Sequence, residues 1–195
     1  MLQQEINGNS VSLTYEFPEL PGEERLRELI LYIADKCEDD PKFGATKLNK
    51  ILYHADFTSY QLYGEPITGV RYMRLPNGPV PRPMVSVRED MISRHEIVIR
   101  SRSVYKYRQQ RIIALRDADL EKFTARQIAI VDQVIDDLRA QTATDVSNLS
   151  HGRAWSMVDD KDDIPYEAVF LSDEPATPED FAWARAVISK HGWNI

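Results

Sequence analysis

The sequence predicts an α+β domain, mostly helical, with a small antiparallel sheet inserted between an N-terminal helix pair and the C-terminal helices. Three observations carry this expectation. Apolar residues recur at helical spacing over residues 26–37 and 48–62, the period shortens to that of strands over 67–115, and helical spacing returns after Thr124. At 195 residues, 43% hydrophobic and 28% charged, the chain holds enough apolar material for one packed core. A second full domain would be cramped.

Taken in order, residues 1–20 are polar with scattered apolar positions and are closed off by Pro18 and then Pro21, which predicts a loosely held arm ahead of a single domain over 21–195. Leu26, Leu29, Ile30, Ile33, Ala34 and Cys37 form one stripe of an amphipathic helix, with Glu23 and Glu24 near its positive N-terminus. Asp39, Asp40 and Pro41 stop it. A second helix is expected from about Thr46, turning Leu48, Ile51, Leu52, Ala55 and Leu62 inward until Gly64 ends it, and the two helices should pack as an antiparallel pair.

Ile67 to Met73 reads as a strand terminated by Pro76-Asn77-Gly78-Pro79. A short helix carrying Met84, Val87 and Met91 follows Pro83, and two extended runs, Glu96–Arg100 and Val104–Leu115, complete the predicted sheet. Thr124 is a candidate N-cap for a helix whose inner face holds Ile128, Val131, Val134, Ile135 and Leu138. After a turn-like stretch over 145–156 and the charge run Asp159–Asp163, Thr177-Pro178-Glu179-Asp180 announces a last helix extending to His191.

Composition excludes several functions. No run of the roughly 18–20 apolar residues that a membrane span needs is present, and the first residues lack a basic and then apolar leader, so a cytoplasmic protein is expected. The single cysteine, Cys37, lies on an apolar stripe and reads as a small buried hydrophobe. The net charge of −7 is unevenly spread: six cations face twelve carboxylates over residues 1–65, eleven face three over 66–116, and seven face sixteen over 117–195. A basic centre in an acidic chain can steer an acidic partner into place.

Motifs for chemistry are sparse. His54, His95, His151 and His191 show neither HExxH nor paired spacing with cysteine, and no phosphate loop, GxGxxG or GxSxG occurs, so no catalytic residue, metal or cofactor is expected. His54 and Asp56 lie two apart on a predicted helix and face different directions. A hydrolytic grouping of Ser150, His151 and Asp145 lacks any oxyanion-hole motif. What remains is the basic centre, where Arg94, Arg100, Arg102, Tyr105, Lys106, Tyr107, Arg108 and Arg111 combine the residue types favoured as anchors at protein interfaces. Two other readings stay open for these strands, a solvated sheet face and a platform for nucleic acid, the latter opposed by a pI of 5.2 and the acidic flanks.

Lys47 to Asp56, followed by Tyr63 to Gly69 and Leu75 to Val80, and later by Leu149-Ser150-His151, Ala154-Trp155 and Ile164 to Glu167, resembles the Panacea domain, also called the SocA-like antitoxin domain. The resemblance spans roughly residues 22–170 and rests on the combined order of these segments. It implies a mostly helical fold with a small sheet, and a protein that neutralises a cognate toxin, encoded by an adjacent gene, through direct contact or by delivering it to a protease. A binder of nucleic acid in a phage or mobile-element setting is the alternative. The motif residues Tyr53, Asp56, Gly69, Gly78, Pro79, His151, Trp155, Pro165 and Tyr166 are expected to serve the fold. Of these, Tyr53, Asp56, His151 and Trp155 are expected to form one buried polar cluster.

Overall fold

The fold is assembled around α1 (Gly22–Lys36), nine of whose fifteen residues are buried. The computed structural model describes residues 12–104, 107–139, 141–142, 153–171, 177–179, 182, 185 and 189, with backbone alone at 102–104, 107–108 and 153–154. The predicted stripe Leu26, Leu29, Ile30, Ile33, Ala34 and Cys37 is buried, and Leu31 and Tyr32 join it because other elements cover the helix on further sides. These are α2 (Ala45–Tyr63), α3 (Met84–Ser93) and the strand β4 (Tyr107–Ala114). α4 (Ala125–Arg139) packs mainly on α2. The result is α+β and mostly helical, as the sequence predicts.

Local signals explain the helix ends. α2 stops at Gly64, whose φ of 75° is the left-handed conformation that closes a helix most readily in glycine. At the start of α4, the Thr124 hydroxyl accepts from Gln127 N while Gln127 Oε1 accepts from Thr124 N, a reciprocal capping box. Leu62, expected inside, is 59% exposed, because it lies in the last turn of α2 beyond the covering elements. Pro178, Glu179, Ala182, Arg185 and Ser189 are helical, in agreement with a last helix, while His191 lies outside the described residues.

The sheet departs from expectation in being two sheets. β1 (Tyr72–Met73) is flanked by β2 (Val80–Pro81) and β5 (Asp163–Ile164), all antiparallel, in the order β2-β1-β5. β3 (Ile97–Val104) and β4 form a separate two-stranded hairpin in which Ile97 faces Ala114 and Val104 faces Tyr107. The strand expected over 67–73 shrinks to its last two residues. Its upstream part does not join a ladder because Thr68 N donates to the Asp56 carboxylate at 2.6 Å, and Gly69, with φ of 75°, bends the chain away. At Gly69 a Cβ would lie 2.9 Å from that of Phe17, so the position requires glycine for space as well as for its torsion.

The described part of the predicted arm is held firmly. Phe17 N donates to Gly69 O at 2.9 Å, Tyr166 N to Thr14 O at 2.8 Å, and the Arg71 guanidinium forks onto Glu16 at 2.6 and 2.9 Å. A short α5 (Arg153–Ser156) precedes β5, and a 3-10 turn over Tyr166–Phe170 follows it.

Candidate partner-binding site

Two regions hold the residues singled out in the sequence, and they use their polar groups differently. The first is the motif core, centred on Asp56. Its position on the apolar face of α2 leaves it with no solvent exposure, so the carboxylate must find donors inside the protein. It accepts from Thr68 N, from the Thr68 hydroxyl and from Tyr72 OH at 2.8 Å. Burial pushes the Asp56 carboxyl above its ordinary value, against the pull of these donors toward the ionised form. Tyr53, Phe57, Tyr72 and Tyr166 enclose it, with Phe57 stacked on Tyr166 at 4.8 Å and the Tyr166 hydroxyl donating to Val70 O at 2.7 Å. Gly78, with φ of 107°, and Pro79 are buried in the turn from β1 to β2. Pro165 leads into the 3-10 turn that carries Tyr166.

The expected cluster of Tyr53, Asp56, His151 and Trp155 is therefore corrected. Tyr53 and Asp56 share the core with Thr68 and Tyr72. Trp155 stands apart, its indole N–H donating to Leu75 O at 3.2 Å and its ring covered by the Arg74 guanidinium at 3.9 Å. His151, Ser150 and Asp145 lie outside the described residues. Thr68 and Tyr72 were missed by sequence reasoning. A carboxylate on a helix stripe running Leu52, Ala55, Ser59 was the available sign that buried donors must sit opposite.

His54 and Asp56 do not converge. His54 is largely enclosed, its ring meets the edge of Tyr53 at 5.3 Å, and its Nε2 has no hydrogen-bond partner among the described residues. Burial, helped by the nearby Lys50 charge, pushes the imidazole down to about 4, and burial pushes Lys50 down to about 8. Cys37 is 2% exposed and burial raises its thiol to about 11, which removes the thiolate a nucleophile needs. Among the described residues no three His, Cys, Asp or Glu side chains are placed to share a metal ion.

The second region is the basic centre, and folding divides its cations. Arg71 pairs with Glu16 and Asp163, and Arg82 with Asp163. Arg116 forks onto Glu28 at 2.7 and 2.8 Å and also meets Glu96, while Arg27 of α1 bridges Asp90 and Glu96, so the hairpin base is bolted to α1 and α3. Arg94 is paired with Asp90 one turn earlier in α3. Arg111 donates to the carbonyls of Cys37, Glu38 and Asp40, where its cation also meets the negative end of α1. Gln109 extends this line of contacts to Pro41 O and Phe43 O.

Directly opposite Arg111 on β3, the Arg100 side chain is exposed and meets no carboxylate among the described residues. Tyr105 and Lys106 and the side chains of Arg102, Tyr107 and Arg108 lie outside the described residues; in the register Arg102 faces Gln109, Arg108 faces Ser103 and Tyr107 faces Val104. From Ile97 to Arg116 the sequence has six cations and no carboxylate; Arg116 is paired with Glu28 and Glu96, and Arg111 is held by backbone carbonyls.

Comparison with known families adds the decisive observation. The sequence profile of the family described as antitoxin SocA-like, Panacea domain, matches residues 48–156. The chain belongs to this family. The matched span covers more than half of the chain, from inside α2 to the end of α5, and so takes in the Asp56 core, the Gly78 turn and the whole hairpin of this Panacea domain. Ile164 to Glu167 lie beyond it, yet β5 and Tyr166 pack directly on the matched core. No curated protein and no solved structure matches the chain significantly.

Proposed function

We propose that the protein is the antitoxin of a toxin-antitoxin pair and neutralises its toxin by direct binding, with the distal part of the β3–β4 hairpin as the contact surface. Membership of the SocA-like antitoxin family supports the general role. The observation that carries the surface is the division of the cations: Arg116 and Arg111 are held by α1 and the residues after it, while Arg100, opposite Arg111, is left exposed in a stretch that has no carboxylate of its own. Arginine and tyrosine on a projecting ribbon are well suited to anchor in an acidic partner. Arg111 and Arg94 belong to the support of this ribbon.

The same division weakens the nucleic-acid alternative, because among the described cations of the basic centre Arg71, Arg82, Arg94 and Arg116 are already paired with carboxylates. Neutralisation by plain inhibition and neutralisation by delivery to a protease are both binding functions, and the hairpin suits either. Coexpression with the product of the adjacent reading frame tests the proposal. Growth should be restored and the two proteins should purify together in equimolar amounts, with the complex loosening as salt rises. Continued growth arrest with the chain present in soluble form contradicts it.

A further inference from the structure

Away from the hairpin lies an open groove of about 770 Å³ between the arm, the edge of β5 and the 3-10 turn after it. Three large apolar side chains on its walls are exposed: Leu13 at 45%, Met157 at 70% and Leu171 at 42%. Its charges are one-sided. Four carboxylates line it, Asp159, Asp162, Asp163 and Glu167, with Arg71 as the one lining cation, and of the four Asp163 is matched by Arg71 and by Arg82 outside the groove. That cation is already taken by Glu16 and Asp163. Asp159 and Asp162 are exposed and meet no cation among the described residues, and Lys161 between them does not line the groove. Glu167 accepts from Thr14 N and Tyr60 OH, neither of which cancels its charge. Burial disfavours that charge, but these donors outweigh burial and hold the Glu167 carboxyl below its ordinary value.

Position separates this groove from the hairpin. Arg71 on its wall follows Val70, which packs on Gly22 at the N-terminus of α1, whereas Arg111 of the hairpin holds the carbonyls at the C-terminus of α1. The helix between them is about 22 Å long.

We propose that this groove is a second docking surface, which takes a basic segment of a partner protein. One or two apolar side chains of that segment seat between Leu13, Met157 and Leu171, and its Lys or Arg residues meet Asp159 and Asp162. Charge complementarity selects the occupant: an acidic or neutral segment gains nothing from the uncompensated carboxylates, and a purely polar one leaves the apolar walls wet. The inference does not depend on the antitoxin reading, since it concerns another surface of opposite charge.

The test uses the full chain and a fluorescently labelled amphipathic peptide of repeated Lys-Leu-Leu-Lys pattern, beside a counterpart with Glu in place of Lys. Anisotropy should show saturable binding of the cationic peptide only, weakening as salt rises. Met157→Lys and the pair Asp159→Lys with Asp162→Lys should each weaken it at least about tenfold with the melting curve unchanged, while Arg100→Glu leaves it unaltered. Equal binding of both peptides, or groove variants that bind as the wild type does, overturns the proposal. So does concentration-dependent self-association abolished by the same groove variants, because the occupant would then be a second copy of this chain.

Discussion

The motif core and the hairpin use the same residue types to opposite ends. Around Asp56, aromatic rings and hydroxyls are turned inward and the carboxylate is matched by three donors. On the hairpin, Arg116 is paired with Glu28, while Arg100 is exposed and meets no carboxylate among the described residues. A buried polar group whose removal strands its partners serves the fold, whereas an exposed cation without a partner among the described residues is available to another molecule. The family match takes in both regions, and the base of the ribbon belongs to the scaffold through Ile97, Ile112, Arg111 and Arg116.

The strongest way to break this comparison is Asp56→Ala. It leaves Thr68 N–H and Tyr72 OH without an acceptor in the core and should lower stability by about 3 kcal/mol or more, read as a shift in the urea midpoint. Asp56→Asn, which keeps one acceptor oxygen, should fall between. A loss below about 1 kcal/mol for the alanine variant would mean that the cluster is not structural.

Next in size is the buried pair of Lys47 and Asp40, joined at 2.8 Å with both side chains under 5% exposed. Asp40→Ala leaves the ammonium in the interior with only Arg139 O, among the described residues, to accept from it, and should destabilise by about 3 kcal/mol. Adding Lys47→Met should recover much of the loss. Failure of that second substitution to recover stability would contradict the reading of an uncompensated buried charge.

A smaller effect sharpens the role of His54. Its folded pKa is depressed, so the stability tied to the neutral imidazole is present above the unfolded value near 6.5 and is lost as pH falls through about 4. In that window the wild type should lose up to about 1.4 kcal/mol per pH unit relative to His54→Phe, measured by denaturation across pH 4–7. Parallel pH profiles for the two proteins would show that the imidazole is not held neutral by its surroundings.

The sequence predicted the helices well because stripes such as Leu26 to Cys37 and cap pairs such as Thr124 with Gln127 are local signals. It misplaced the first strand because the apolar positions Ile67, Val70 and Tyr72 report burial, not ladder pairing, and nothing local shows that Thr68 N–H is committed to Asp56, twelve residues earlier. β5 hid inside a charge run, since Asp163 is held there by Arg71 and Arg82 from the other end of the sheet. A count along the chain cannot see that Glu28, Glu96 and Glu16 fold against Arg116 and Arg71.

The central claim is that the outer hairpin binds and does not stabilise. Its most direct test replaces Arg100, Arg102, Lys106 and Arg108 together with Glu and coexpresses the variant with the product of the adjacent reading frame. The account predicts a chain that unfolds within about 0.5 kcal/mol of the wild type and no longer restores growth. A variant that is equally stable and still restores growth in full would contradict it.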